Sequence, residues 1–118
     1  MENSLTIDEI SPELINIIKK ICKPQTYRTE SELIYENHIP HAGFLLLDGE
    51  IKCLKKKKVF RSINECSLFG VKELMNNSPI KFTVKICPNS KVCILDRSSV
   101  KEIELALQNN KLPYSITS

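Results

Sequence analysis

Between Ser11 and Ile21 the apolar residues recur at helical spacing: Leu14, Ile17, Ile18 and Ile21 share one face, with Lys19 and Lys20 on the other. Ser11 suits the N-cap, Pro12 the first helical position, and Glu13 the positive end of the helix dipole. Lys23-Pro24 closes the segment, because the residue before a proline is disfavoured in the α region. The pattern predicts a helix over about 11–22. Upstream, Leu5 to Ile10 reads as a short turn docking on the same core.

From Gln25 to Val92 the period changes. Short apolar runs alternate with turn signals roughly every eight to twelve residues, as in a barrel or sandwich. Leu33-Ile34-Tyr35 is one run. Phe44 to Leu47, Asp48-Gly49, then Ile51 to Leu54 reads as a long strand broken by a turn or bulge. Val59-Phe60 follows a lysine run. Phe82, Val84 and Ile86 alternate with Thr83 and Lys85, giving one buried and one wet face. Val92 to Leu95 is a fully apolar strand. The chain then returns to helix over about 99–109. Ser99 and Glu102 have capping-box spacing, and Val100, Ile103 and Leu107 form an apolar stripe. Asn109-Asn110 is expected to end it, leaving a loose tail from Lys111 to Ser118. The predicted order is helix, many short strands, helix.

Composition narrows the class without changing that order. With 118 residues, 42% of them hydrophobic, the chain suits one domain over 1–118, with the strands between about 25 and 95. The net charge of +3 is too mild to imply nucleic acid. No apolar stretch approaches the ~20 residues of a membrane span. The polar start Met1-Glu2-Asn3-Ser4 does not read as a signal peptide, so a cytoplasmic protein is expected. Cys22, Cys53, Cys66, Cys87 and Cys93 are odd in number, and no pair has a two-residue gap, which favours reduced, structural thiols.

Candidate chemistry is sparse. No serine, cysteine or threonine sits in a nucleophile turn, and no glycine loop could cradle a phosphate, so no catalytic residue is assigned and no enzyme expected. His38 and His41 flank Pro40, which argues against a helical metal pair, and no metal is assigned. Lys55-Lys56-Lys57-Lys58 is the sharpest charge feature. It reads as a solvated turn or as a contact for an anionic lipid headgroup, a phosphate backbone or an acidic protein segment.

Three phrases resemble the cyclic-nucleotide-binding domain of catabolite-activator-type regulators, protein kinase A regulatory subunits and gated channels. Glu32 to Asn37 matches its strand of apolar residues closed by glutamate and glycine, through Leu33-Ile34-Tyr35 and then Glu36-Asn37, and Gly43 to Ile51 the "apolar run, x, glycine, x, apolar" strand. Phe69 to Val84 matches the phosphate-binding cassette without a gap, through Phe69-Gly70, Pro79 and Thr83-Val84. The resemblance runs from about Leu14 to Leu107. It implies a mostly β fold with flanking helices, a double-stranded β-helix of jelly-roll or β-roll type.

The resemblance also implies two losses. The family's glutamate, which holds the ribose 2′-hydroxyl, falls at Val71, and its phosphate-binding arginine falls at Ile80. Losing such an ionic partner typically costs ~3–5 kcal/mol. Alternation puts Lys81 on the opposite face from Ile80 unless the backbone slips by one residue. Thr83 matches a position that often touches phosphate or base. The expected cup lining is Phe69, Gly70, Val71, Leu74, Met75, Ile80, Lys81 and Thr83.

Two functions follow from this reading. One is a non-enzymatic, degenerate signalling module without a cofactor that acts on a protein partner. The other is a small-ligand sensor, binding a cyclic nucleotide atypically or something more apolar. Family members often pair through the C-terminal helix, so Val100, Ile103 and Leu107 serve either a homodimer seam or packing against the roll. Ending at Ser118, the chain leaves no room for a following helix-turn-helix, and no DNA-binding domain is expected.

Overall fold

The computed structural model describes residues 7–9 and 11–115, with side chains from 11 to 108. A short strand, β1 (Ile7–Glu9), precedes helix α1 (Pro12–Ile21). The segment expected as a turn is therefore a strand, because β7 (Ser67–Phe69) offers it an edge for antiparallel pairing. Helix α1 begins as its sequence requires: the Leu14 N–H donates to Ser11 Oγ at 3.2 Å.

Strands β2 (Gln25–Tyr27), β3 (Ser31–Ile34), β4 (Gly43–Asp48), β5 (Ile51–Lys55) and β6 (Lys58–Ile63) lead to β7. After β7 come the six-residue helix α2 (Val71–Asn76), strands β8 (Thr83–Ile86) and β9 (Ser90–Leu95), and helix α3 (Arg97–Ser115). The strands form a five-stranded sheet, β1-β7-β4-β9-β2, and a four-stranded sheet, β3-β8-β5-β6, with every pair antiparallel.

Two cores explain why some strands alternate and others are continuously apolar. Between the sheets, Phe44, Leu46, Phe69 and Val92 meet Ile34, Ile51, Cys53, Val84 and Ile86. The Phe44 and Phe69 rings stack there at 5.4 Å. On the other side of the five-stranded sheet, Leu45, Cys93 and Leu95 meet Ile18 of α1, Leu74 of α2, and Val100 and Ile103 of α3. Successive residues of β4 point to opposite faces, and both faces are covered. Strand β8 belongs to the four-stranded sheet and keeps the half-wet pattern, with Val84 and Ile86 buried and Thr83 and Lys85 partly exposed.

Helix α3 departs from its expected limits. It starts two residues before Ser99, because the Ser99 N–H donates to Asp96 Oδ1 at 2.7 Å and Asp96 caps the helix. It also runs through Asn109-Asn110, since asparagine lowers helix propensity by less than ~1 kcal/mol and does not stop a helix alone. Val100 and Ile103 are buried against α1 and the sheet, and Leu107 packs beside them. That stripe packs against the body of the chain, the second of the two roles expected for it. Among the described residues, no helix is long and apolar enough to cross a membrane.

Candidate functional site

Strand β7 delivers Phe69 into the core between the sheets, and the chain turns at Gly70 with φ of 80°. A Cβ there would stand 2.8 Å from Ile34 Cδ1, so the turn requires glycine twice over. Helix α2 follows and closes at Asn77, whose φ of 52° is left-handed and whose N–H reaches the Glu73 and Leu74 carbonyls. Asn77 Oδ1 also accepts from the Arg97 guanidinium, tying the end of α2 to the start of α3.

Ile80, at the position the resemblance gives to arginine, is fully buried within the core between the sheets. Its backbone is clamped on both sides. The Ile80 N–H donates to the His38 carbonyl at 3.0 Å, and the Asn37 N–H donates to the Ile80 carbonyl at 2.7 Å. Asn37, at the family's glycine position, takes a left-handed φ of 68°, which asparagine tolerates better than most residues. Lys81 is exposed, so no one-residue slip carries it inward. Phe82 is 8% exposed, and the Phe60 ring lies edge-on to it at 5.7 Å. Thr83 Oγ1 accepts from the Glu36 N–H at 3.1 Å.

The expected cup lining is thus divided. Phe69 and Ile80 belong to the core between the sheets, whereas Leu74 belongs to the core under the helices, with Val71 and Met75 packed against it. Positions 71, 74 and 75 share one face of α2, and that face turns toward β4 and α3. Val71 lies close against Gly43, where an added Cβ would stand 2.4 Å from Val71 Cγ2. The same helix buries the carboxyl-bearing side chain of Glu73, at 7% exposure, which the sequence reading left unassigned.

Lys55 to Lys58 sit at the tip of the β5–β6 hairpin, with Lys55 paired to Lys58 and all four exposed. Lys56 and Lys57 have φ of 52° and 69°, so both central positions of this two-residue turn are left-handed. The Lys56 N–H donates to Glu36 Oε1 at 2.9 Å, holding the tip against the loop after β3. His38 Nδ1 lies 3.2 Å from the Glu36 carbonyl, and both His38 and His41 are exposed.

No protein-family model matches the chain, and no curated protein sequence does. Solved structures do match in shape. PKAR CBD2, solved with Sp-2Cl-cAMPS bound, is 27% identical with a TM-score of 0.64, over 91% of this chain and 76% of that one. The Thermus thermophilus catabolite activator protein is 14% identical with a TM-score of 0.66, over 92% of this chain. This chain spans about half of that activator, 54% of its length. A cyclic-nucleotide-binding-like protein from Brucella abortus is 15% identical with a TM-score of 0.66, over 80% of this chain and 85% of that one. Two antiparallel sheets, a short helix after β7 and helices at each end define a cyclic-nucleotide-binding domain fold, and this chain has it.

Proposed function

We propose that the chain is a non-enzymatic signalling module on the cyclic-nucleotide-binding fold that no longer takes a cyclic nucleotide and acts by contact with a protein partner. The burial of Ile80 carries this reading. A cyclic phosphate needs charge-assisted donors, best supplied by a bidentate guanidinium. At that point in this fold stands a hydrocarbon side chain packed among Ile34, Phe69, Phe82 and Val84, with its backbone held by Asn37 and His38. Thr83 Oγ1 already serves the Glu36 N–H, and Lys72 and Lys81 are exposed. The separation of Val71, Leu74 and Met75 from Ile80 also removes the continuous apolar lining that another small ligand would use.

Isothermal titration with cyclic AMP and cyclic GMP tests the first half of the reading. Neither nucleotide is expected to bind more tightly than about 1 mM, or roughly −4 kcal/mol. Micromolar binding of either would overturn it. Affinity capture tests the second half. A partner retained by the native surface and lost from a charge-altered one supports it; equal retention by both counts against it.

A further inference from the structure

The hairpin of lysines is not an isolated charge run. The four-stranded sheet brings three connections to one end: the loop after β3, the segment entering β8, and the β5–β6 turn. Four of the five large hydrophobic residues exposed among the described residues lie in these connections or just beyond them: Tyr35 at 50%, Ile39 at 44%, Val59 at 51% and Phe60 at 55%. The same end carries exposed Lys55, Lys56, Lys57, Lys58, Arg61 and Lys81. Glu36 joins these parts, its carboxylate accepting from the Lys56 N–H and its own N–H donating to Thr83.

We propose that this end of the roll docks on an anionic phospholipid surface, with the lysines against the headgroups and Tyr35, Ile39, Val59 and Phe60 entering the interfacial layer. The pairing of exposed apolar side chains with six exposed cations around the single Glu36 carboxylate that braces the turn is what such a surface binds. An extended acidic peptide fits less well. Strand β6 is the sheet edge, but its pairing with β5 is bulged between Val59 and Arg61 and it opens on a lysine, features that blunt strand addition. Nucleic acid would use the cations and leave the apolar side chains without a role. The turn itself also points to selection of charge at the tip. Two left-handed positions in a two-residue hairpin favour Asn-Gly on backbone grounds, and lysine occupies both. This docking is independent of whether the cup binds a nucleotide, so titration of the cup and vesicle binding fail separately.

The experiment is co-sedimentation of the whole chain, without nucleotide, with vesicles of phosphatidylcholine and phosphatidylserine or of phosphatidylcholine alone. Binding to the anionic vesicles is expected, weakening with added salt, with little binding to the neutral ones. Each lysine near such a surface contributes about five-fold in affinity, so Lys56→Asn with Lys57→Gly should lose about 25-fold. That variant suits the turn better than the native pair. A melting temperature at or above the native one shows the fold intact, so its lost binding cannot be ascribed to unfolding. Tyr35→Ser with Ile39→Ser should weaken binding while leaving the salt dependence in place. Equal binding to neutral vesicles, an unchanged Lys56→Asn/Lys57→Gly variant, or retention on polyglutamate without vesicle binding would each overturn the proposal.

Discussion

Ile80 shows how a single position sets what the roll can hold. In a site open to solvent, restoring arginine would add a phosphate donor at small cost. Here the side chain is 0% exposed and belongs to the same hydrocarbon core as Ile34, Phe69, Phe82 and Val84. A guanidinium placed among them would be buried without a counter-charge, a situation that destabilises by about 3–5 kcal/mol. Ile80→Arg should therefore lose that much in urea unfolding and still bind no cyclic AMP in titration. A variant carrying Ile80→Arg and Val71→Glu that unfolds like the native protein and binds in the micromolar range would show that the packed interior is not what excludes the nucleotide. Position 80 was legible because the cassette spacing from Phe69 to Val84 is ungapped. The clamping of its backbone by Asn37 and His38 was not, since those residues lie some forty positions away.

The elements repay attention at their ends. The Ser99 to Glu102 spacing suggests a capping box, yet the Ser99 N–H is taken by the Asp96 carboxylate, three residues earlier. Those hydrogen bonds from Ser99 hold the Asp96 carboxyl below its ordinary range. Asp96→Ala should lower the denaturant midpoint, while Ser99→Ala, removing only a hydroxyl, should lower it less. The reverse order would restore the capping box. Helix α2 teaches a related lesson. Its residues 71, 74 and 75 were assigned to the cup by family position, but helical periodicity alone puts them on one face. Only the placement of α3 decides that this face looks away from the roll interior.

Buried thiols lie in both cores, Cys53 between the sheets and Cys22 and Cys93 under the helices, and two of them contribute to the response to alkali. Burial pushes the Cys53 thiol, between the sheets, up to about 11, against the partial pull of Arg61. Burial likewise pushes Cys93, under the helices, up to about 11, and its Sγ donates to the Cys22 carbonyl at 3.5 Å. In the unfolded chain both ionise near 9.0, so above that pH the native state retains protons that the unfolded state has lost. Their contribution is complete below pH 9 and is lost as pH rises toward 11. Denaturant midpoints measured between pH 8 and 11 should fall accordingly. A flat profile would mean these thiols ionise equally easily in both states.

Read alone, the sequence determined the two flanking helices, the run of short strands between them and the family of folds, but neither strand β1 nor the short helix α2. Helical period, strand alternation and turn residues are local properties, and Gly70 and Asn37 occupy left-handed backbone conformations that their own residue types tolerate. Tertiary structure decided everything that depends on what lies across a gap. The edge of β7 made a strand of residues 7–9, and the second core explained why β4 is apolar on both faces. The packing of α1 on α3 turned Val100 and Ile103 inward. The gathering of Tyr35, Ile39, Phe60 and the lysines at one end of a sheet is likewise invisible to periodicity, because antiparallel pairing joins segments that the chain keeps far apart.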